Sequence, residues 1–382
     1  MAFVTLSWIL WLWGTVLVYW LSPGPVRLLV LALVSLVFLL VYDPLSAALL
    51  CIFALMCHIA GNRESVPTAA LAAVVSSMVA ILIFFKIGVV NRDLALLQTV
   101  LIPLGLSFYT FRCVHFMMER YTGRVPICSL RELISYLFFL PTLVVGPIHR
   151  IDDYLKDMAR QRFDPRMLSE GAERIVYGYV KLAVISNFLV ERLFGEWILE
   201  HPDQDGALVA YLLIVKNGLN VYLQFSGYSD IAIGFARMLG FRVLENFNWP
   251  YLQPNISSFW RSWHISLSRW CREYIYETVV SITRNPALGA ISTMLVIGMW
   301  HEISTRYIIW GIYHGLGLVI WQYWQGIKAR WMPTVPQPLV GFVYALSVLL
   351  TVHFVWFGFV IIYSGGLRET LVIFDKVFLW WL

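Results

Sequence analysis

The sequence predicts an all-α, polytopic integral membrane protein, and composition, apolar segment length and aromatic content indicate this class. Of 382 residues, 59% are hydrophobic and 13% charged, against roughly 45–50% and about 25% in average soluble domains. A bilayer core of about 30 Å solvates such apolar surface, and 17 Trp and 19 Tyr suit its interfaces. Segments without Asp, Glu, Lys or Arg occupy residues 1–26, 28–42, 44–62, 65–85, 94–111, 133–149, 307–327 and 331–367. A soluble enzyme, a disordered chain and a nucleic-acid-binding domain are excluded, despite a net charge of +5.

The first apolar segment is expected to be a retained span, because it lacks a basic start and an Ala-x-Ala cleavage pattern. Two later basic segments, residues 112–131 and 150–174, are expected on the cytoplasmic side. Their arginines and lysine are Arg112, Arg120, Arg124, Arg131, Arg150, Lys156, Arg160, Arg162, Arg166 and Arg174. The intervening residues 133–149 are short for a span and contain two prolines, which predicts a re-entrant segment buried in protein.

The rest of the topology follows from this assignment. Residues 175–199 cross outward, the acidic residues 200–205 lie outside, and residues 207–240 return. The cytoplasmic side then receives Arg242, Arg261, Arg269, Arg272, Arg284, Lys328 and Arg330. Extended backward, the assignment leaves Arg92 and the N-terminus outside and gives about ten crossings. Without a repeat or linker, residues 1–382 are predicted to form one integral membrane domain.

Asp230 interrupts an apolar run at residues 222–234. A charge within a membrane span is costly and is therefore a functional candidate. The alternative is a structural acid whose hydrogen bonds to neighbouring hydroxyl groups offset the cost of burial. The sequence leaves both interpretations open.

Residues 246–276 are too polar to span a bilayer and unusually aromatic for a loop. From Phe259 onward their helical period predicts one interfacial amphipathic helix. Its apolar stripe comprises Phe259, Trp263, Leu267, Trp270 and Tyr274, and a second stripe carries His264, Ser268 and Cys271. His264 is either a hydrogen-bonded interface residue or a catalyst.

His301 and Glu302 follow an apolar run of about 15 residues, which rises only about 22 Å as a helix. A run that starts at one face therefore leaves His301 inside the membrane, where a neutral imidazole is well suited to accept a proton. His314 is expected to be structural. No metal, haem or nucleotide motif is present, and Cys51, Cys57, Cys113, Cys128 and Cys271 lack CxxC spacing.

Five ordered segments resemble one family. They are LGLSFYTFRCVHFMMERYTG, YLFFLPTLVVGPIHR, QFSGYSDIAIGFARMLG, NFNWPYLQPNISSFWRSWHISLSRWCREYIY and MLVIGMWHEISTRYIIWGIYHG, within about residues 100–325. They resemble the membrane-bound O-acyltransferases, and most closely the bacterial branch of alginate O-acetyltransferases and teichoic-acid D-alanyl transfer proteins.

The resemblance implies a ring of helices around a central tunnel that joins a cytoplasmic acyl donor to an outer acceptor. It makes His301 the principal catalytic histidine and His264 the second. We expect the tunnel to be lined by Asp230, Asn246, Trp260, Arg261, Ser268, Trp300 and Glu302. The donor would be acetyl-CoA or another acyl thioester, with no bound cofactor or metal, and the acceptor an extracytoplasmic glycan. An extracytoplasmic acyltransferase, a polysaccharide synthase complex and membrane lipid are the expected partners, in a bacterial cytoplasmic (inner) membrane.

The chain departs from the branch pattern at Glu302, where Gly is usual, at ETVVSITRNP, which replaces a Gly-Gly-Asn-Arg stretch, and at His149. These departures leave the acceptor open. The alternatives are D-alanyl transfer to teichoic acid, a transporter whose broken helices and Asp230 form a midplane site, and a structural subunit of a secretion complex.

Overall fold

The computed structural model describes residues 5–90, 101–200, 206–331 and 335–378. These residues form helices and no strand, apart from one isolated β-bridge between Phe247 and Trp263, which confirms the all-α prediction. The α-helices are α1 (Leu6–Leu21), α2 (Arg27–Tyr42), α3 (Pro44–Gly61), α4 (Thr68–Val90), α5 (Leu106–Tyr121), α6 (Leu130–Leu137), α7 (Ile151–Met158), α8 (Pro165–Tyr179), α9 (Gly195–Leu199), α10 (Ala207–Met238), α11 (Ile256–Ser262), α12 (Ile265–Cys271), α13 (Glu277–Thr283), α14 (Pro286–His301), α15 (Thr305–Trp331), α16 (Val340–Tyr363) and α17 (Leu367–Phe378).

Four helical segments among the described residues are long and apolar enough to cross a membrane: Pro44–Gly61, Thr68–Gly88, Ala207–Met238 and Gln337–Tyr363. Helices α1, α2 and α14 are apolar but shorter. The total of about ten crossings stays a prediction. The predicted outer positions of Arg92, residues 201–205 and residues 1–4 lie outside the described residues.

The chain forms two compact units, Met1–Val180 with Gly227–Glu245, and Lys181–Ser226 with Asn246–Leu382. The expected single domain stays a prediction.

In the first unit, α8 packs against the later part of α10 with almost no side chain between them. A Cβ atom at Gly171 would lie 2.6 Å from the Gly234 carbonyl oxygen, and one at Gly178 would lie 2.7 Å from that of Gly227. Small residues thus permit close backbone contact, as is common between membrane helices.

In the second unit, polar pairs join the π-helical segment Val180–Phe194 to the earlier part of α10. Lys216 Nζ donates to Glu191 Oε1 at 2.9 Å, and Asn220 Nδ2 donates to the other carboxylate oxygen at 2.9 Å. These three polar groups thereby gain partners, which offsets the cost of removing them from water.

The expected re-entrant segment, residues 133–149, is broken and almost entirely buried. Helix α6 ends at Leu137, a 3₁₀ turn covers Leu140–Thr142, and no further helix begins before Ile151. Arg112 fills the break, because its Nη1 donates to the Tyr136 carbonyl at 3.0 Å and its Nη2 donates to that of Thr142. These bonds satisfy carbonyls that the interrupted helix leaves free. The side from which the segment enters stays a prediction.

Two arginines of the segment expected on the cytoplasmic side, residues 112–131, are buried in α5, and the side of the membrane on which they lie stays a prediction. Arg112 is fully buried and Arg120 is 5% exposed. Arg120 Nε donates to the Gly61 carbonyl at 3.0 Å, at the C-terminal end of α3. A cation is favourable there because the helix dipole concentrates partial negative charge at that end. Neither arginine is therefore a loop charge that reports orientation.

Candidate active site

The two candidate histidines belong to the second unit and lie on neighbouring segments. His264 precedes α12, and His301 is the last residue of α14. They are close enough that the charge of a protonated His301 lowers the pKa of His264. Trp300 contacts both rings, with centroid separations of 5.9 Å to His264 and 4.5 Å to His301. The structure therefore brings together the pair that the sequence singled out.

The predicted continuous helix from Phe259 to Tyr274 is wrong, because the chain breaks at His264. Trp263 is extended, with φ −106° and ψ 128°, and His264 is left-handed, with φ 43° and ψ 54°. A π-helical turn over Arg272–Tyr276 then follows α12. His264 therefore does not share one helical stripe with Ser268 and Cys271, but stands at the start of α12.

Asn246 explains the break. Its backbone carbonyl accepts from Ile265 N at 2.9 Å, and its side-chain Oδ1 accepts from Ser266 Oγ at 2.7 Å and from Ser266 N at 3.3 Å. The neighbouring Phe247 pairs with Trp263 in the β-bridge. These contacts replace the helical bonds that the local sequence would otherwise form.

The same amide determines the tautomer of His264. Asn246 Oδ1 lies 3.3 Å from His264 Nδ1. The atom that faces the Ser266 N–H must be the amide oxygen, so a favourable contact requires His264 Nδ1 to carry the proton. In the neutral ring, Nε2 is then an acceptor.

Nε2 of His264 is buried, and no described residue is hydrogen-bonded to it. The side chain is 2% exposed, and the edge-to-face ring of Phe225 lies 4.6 Å from it between centroids. Burial, reinforced by His301, holds the pKa of His264 well below its usual value. The site thus contains a neutral imidazole with one fixed N–H and one unused acceptor.

His301 differs because it is an exposed residue. It stacks on Tyr307 at 5.7 Å and 20°, and meets Trp310 edge to face at 6.0 Å. These contacts orient the ring and leave it accessible. The predicted depth of His301 in the bilayer stays a prediction.

Close packing of α14 against α15 sets the position of His301. A Cβ atom at Gly298 would overlap the Tyr307 carbonyl oxygen, and one at Gly311 would lie 2.7 Å from that of Met294. Only glycine allows the two backbones to approach this closely.

Glu302 and Arg306 fix the turn that follows His301. Glu302 Oε1 pairs with Arg306 Nη2 at 3.4 Å, and Arg306 Nη1 donates to the Ser364 carbonyl at 2.6 Å, just beyond α16. Glu302 has extended backbone, which any residue adopts. Glu302, one of the tunnel candidates, therefore contacts Arg306, and Arg306 connects the turn to the residue that follows α16.

Three other tunnel candidates occupy the same unit. Trp260 is 8% exposed and packs against Trp310 at 5.8 Å. Arg261 is exposed, and its Nη1 donates to Ser257 Oγ at 2.8 Å. Ser268 Oγ donates to the Trp263 carbonyl at 3.1 Å. Trp260 thus belongs to the aromatic cluster, whereas the other two make local bonds.

Sequence reasoning missed the aromatic cluster beyond His301. His314 is fully buried between Trp260, at 5.3 Å, and Trp310, at 4.6 Å. No described residue bonds to either of its ring nitrogens. The spacing of Tyr307, Trp310 and His314 places them on one face of α15, and this spacing was the available signal.

Asp230 belongs to the first unit, whereas the two histidines belong to the second. It is 3% exposed, and Arg174 Nε donates to its Oδ1 at 2.7 Å. Arg174 Nη2 also donates to Glu245 Oε2 at 2.6 Å. Asp230 therefore forms an ion pair with Arg174 inside the first unit.

Among the residues that the structure describes, no group of three or more His, Cys, Asp or Glu side chains could hold a metal ion. Cys271 is a free thiol and is 1% exposed. Burial raises the pKa of Cys271 to about 12. A thiolate nucleophile is strongly disfavoured at this position.

The chain is similar over most of its length to several bacterial proteins. It is 36% identical to a probable alginate O-acetylase AlgI of Pseudomonas syringae pv. tomato over 72% of this chain and 51% of that protein. The Pseudomonas aeruginosa counterpart is 33% identical over 74% and 52%. A teichoic acid D-alanyltransferase of Bacillus subtilis is 30% identical over 69% and 68%. The chain spans about half the length of the alginate relatives. The model of the membrane-bound O-acyltransferase family matches residues 45–362, and the chain belongs to that family.

Proposed function

We propose that this protein transfers an acetyl group, or a similarly small acyl group, from a cytoplasmic thioester to a hydroxyl of an extracytoplasmic polysaccharide, directly or through a partner protein. The observation that carries the proposal is an exposed His301 beside a buried, neutral His264 with an unused acceptor nitrogen. The alginate O-acetylases that the chain resembles support the acetyl group and the glycan.

His301 acts as the general base. The acceptor hydroxyl attacks the thioester carbonyl and gives its proton to His301 while the tetrahedral intermediate forms. The carbon–sulfur bond then breaks, and the departing thiolate takes the proton, which leaves an ester and a free thiol. Such proton transfer contributes typically 10²- to 10⁴-fold to a rate.

His264 binds the donor. Its Nδ1 proton points to Asn246 Oδ1, so Nε2 accepts a hydrogen bond and does not donate one to a developing oxyanion. An amide N–H, such as those of the pantetheine arm of CoA, suits this acceptor. Of the two roles considered from sequence, polarising the carbonyl and binding the donor, this geometry favours the second.

The proposal includes a ring of about ten crossings around a tunnel, a bacterial cytoplasmic membrane and an extracytoplasmic N-terminus. CoA is highly anionic, so its entrance should be basic. Four arginines are exposed and lie within α12 or on the segments before and after it: Arg261, Arg269, Arg272 and Arg284. Together they would hold the nucleotide on the cytoplasmic side.

D-alanyl transfer from a carrier-protein thioester to teichoic acid is the second candidate. The resemblance to the Bacillus subtilis teichoic acid D-alanyltransferase supports it, because the match covers 68% of that protein. The same two histidines would serve either reaction. Only the donor and acceptor differ.

Release of thiol from the donor tests these proposals. Purified protein in lipid nanodiscs should release CoA from acetyl-CoA, faster with an acetylatable glycan than without one. A D-alanyl carrier-protein thioester should be inert if acetyl transfer is correct, and preferred if the second candidate is correct. A transporter or a structural subunit should release thiol from neither donor.

A further inference from the structure

A pocket of about 440 Å³ lies in the first unit, where α1 gives way to α2. The start of α6 and the residues around the end of α7 complete its wall, and Arg27 and Arg131 both line it. This volume falls within the range that small-molecule sites occupy, about 300–1,000 Å³. None of its residues belongs to the candidate active site.

The pocket carries positive charge that no described carboxylate pairs. Neither Arg27 nor Arg131 forms an ion pair with a described residue, and Arg27 Nε is buried without a hydrogen-bond partner there. Glu132 also lines the pocket, but its carboxylate accepts from Ser129 N at 2.7 Å and from Ser129 Oγ at 2.8 Å. The Glu132 carboxylate thus forms part of the capping box at the start of α6.

Neighbouring aromatic rings hold the Arg27 guanidinium in place. It lies 4.7 Å from the centroid of the Trp20 ring and 5.5 Å from that of Tyr19. Trp20 Nε1 donates to the Met238 carbonyl at 2.8 Å, which fixes that ring. Arg27 Nη2 also donates to the Ser22 carbonyl at 3.3 Å. Stacked in this way, the planar guanidinium keeps its remaining N–H groups directed and available for an oxyanion.

The position in the chain indicates the kind of anion. Residues 22–26 join two apolar helices, Leu6–Leu21 and Arg27–Tyr42, so the junction of a membrane-inserted chain lies at the level of the lipid headgroups. Basic pockets between membrane helices at this level suit phosphate-bearing headgroups. We propose that the pocket binds the phosphodiester headgroup of an anionic phospholipid. This site requires membrane insertion but not the acyl transfer proposed above.

The test measures retained lipid by native mass spectrometry of protein taken from nanodiscs of phosphatidylglycerol and phosphatidylcholine. Wild-type protein should retain phosphatidylglycerol preferentially. Arg27→Gln and Arg131→Gln should each weaken retention about fivefold, since one basic side chain at an anionic membrane contributes that much. Arg162→Gln is the matched control, because Arg162 is an exposed arginine of the same unit outside the pocket.

A second variant fills the pocket without changing charge. Gly24 lines it, and a Cβ atom there would meet nothing within 4 Å, so Gly24→Leu should fold and still exclude the headgroup. Equal retention by wild type, the arginine variants and Gly24→Leu would overturn the site. Binding of free CoA or inorganic phosphate in phosphatidylcholine nanodiscs, lost in Arg27→Gln, would overturn the lipid assignment in favour of a soluble phosphate. Thiol release by the active site is scored separately, so its failure leaves this result intact.

Discussion

Asp230 and His264 are both buried polar groups, one in each unit, and the sequence marked both as functional candidates. Asp230 meets Arg174 at 2.7 Å, and Arg174 also holds Glu245. His264 uses Nδ1 against Asn246, but no described residue bonds to its buried Nε2. Burial alone therefore does not distinguish the two residues. They differ in that Asp230 is paired with Arg174, whereas His264 keeps a buried acceptor to which no described residue bonds.

The energetics explain this difference. A buried charge is costly unless a partner compensates it, so Asp230 requires Arg174 to keep the fold stable. A buried acceptor without a partner forfeits part of the hydrogen-bonding free energy that it had in water. A substrate that donates a hydrogen bond to Nε2 of His264 would restore this interaction, and the recovered free energy would add to the affinity for that substrate.

The largest effect expected is on transfer by His301→Ala. Loss of the general base should lower the rate about 10²- to 10⁴-fold. The His301 ring is exposed, so its removal leaves no internal cavity and should change the free energy of unfolding by less than about 0.5 kcal/mol. Thiol release and thermal unfolding of the purified variant measure the two quantities.

His353→Ala is the control for that experiment. His353 belongs to the same unit, but both of its ring nitrogens are engaged, by Tyr211 Oη at 2.9 Å and by the Leu349 carbonyl at 2.7 Å. It should lose some stability and keep its turnover per folded molecule. Unaltered turnover in a well-folded His301→Ala variant would remove His301 from the mechanism.

Asp230→Asn should have the opposite effect to His301→Ala, because it should lower stability and leave the rate of transfer unchanged. It leaves Arg174 with Glu245 alone, and because Arg174 is 30% exposed, the free energy of unfolding should fall by about 2 kcal/mol, less than for a fully buried pair. Transfer per folded molecule should not change. The double variant Arg174→Gln with Asp230→Asn should recover part of the loss. A stable Asp230→Asn protein without transfer activity would instead place Asp230 in the donor route.

His264→Asn tests whether the unused nitrogen binds the donor. Asn tolerates the left-handed backbone that His264 adopts, so the break before α12 should persist. Loss of one hydrogen bond to the donor should raise KM for acetyl-CoA up to about tenfold with a smaller change in kcat. Trp263→Ala controls for packing, and equally mild kinetic effects of both substitutions would reduce His264 to an interface residue.

The pH dependence of stability provides a further test of His264. Its pKa is lowered in the folded protein, so below the usual value of about 6.5 the unfolded chain binds a proton that the folded chain does not. The stability contributed by the neutral ring is present above that pH and is lost as pH falls, by up to about 1.4 kcal/mol per pH unit. Thermal unfolding between pH 7 and 5 should therefore depend more steeply on pH in wild type than in His264→Asn.

Sequence patterns predicted those structural features that depend on interactions between residues close together in the chain. The apolar run before His301 predicted a helix that ends there, and α14 ends at that residue. The helical period from Phe259 missed the break at His264, because the bonds that cause it come from Asn246, which lies 18 residues before His264 and outside that helical period. The burial of Arg112 was not predicted for the same reason, since its partners are the carbonyls of a broken segment elsewhere in the sequence.

The smallest effect is expected at Cys271, two turns beyond His264 in the chain. A covalent acyl-cysteine on the route would require a thiolate in contact with the donor. The Cys271 side chain is 1% exposed and burial raises its pKa to about 12, so at neutral pH it is a thiol enclosed by protein. Cys271→Ser and Cys271→Ala should keep most of the transfer activity, and an impermeant maleimide should not label Cys271 in the folded protein. Inactivation of both variants without loss of stability would contradict direct transfer and require a two-step route through the cysteine.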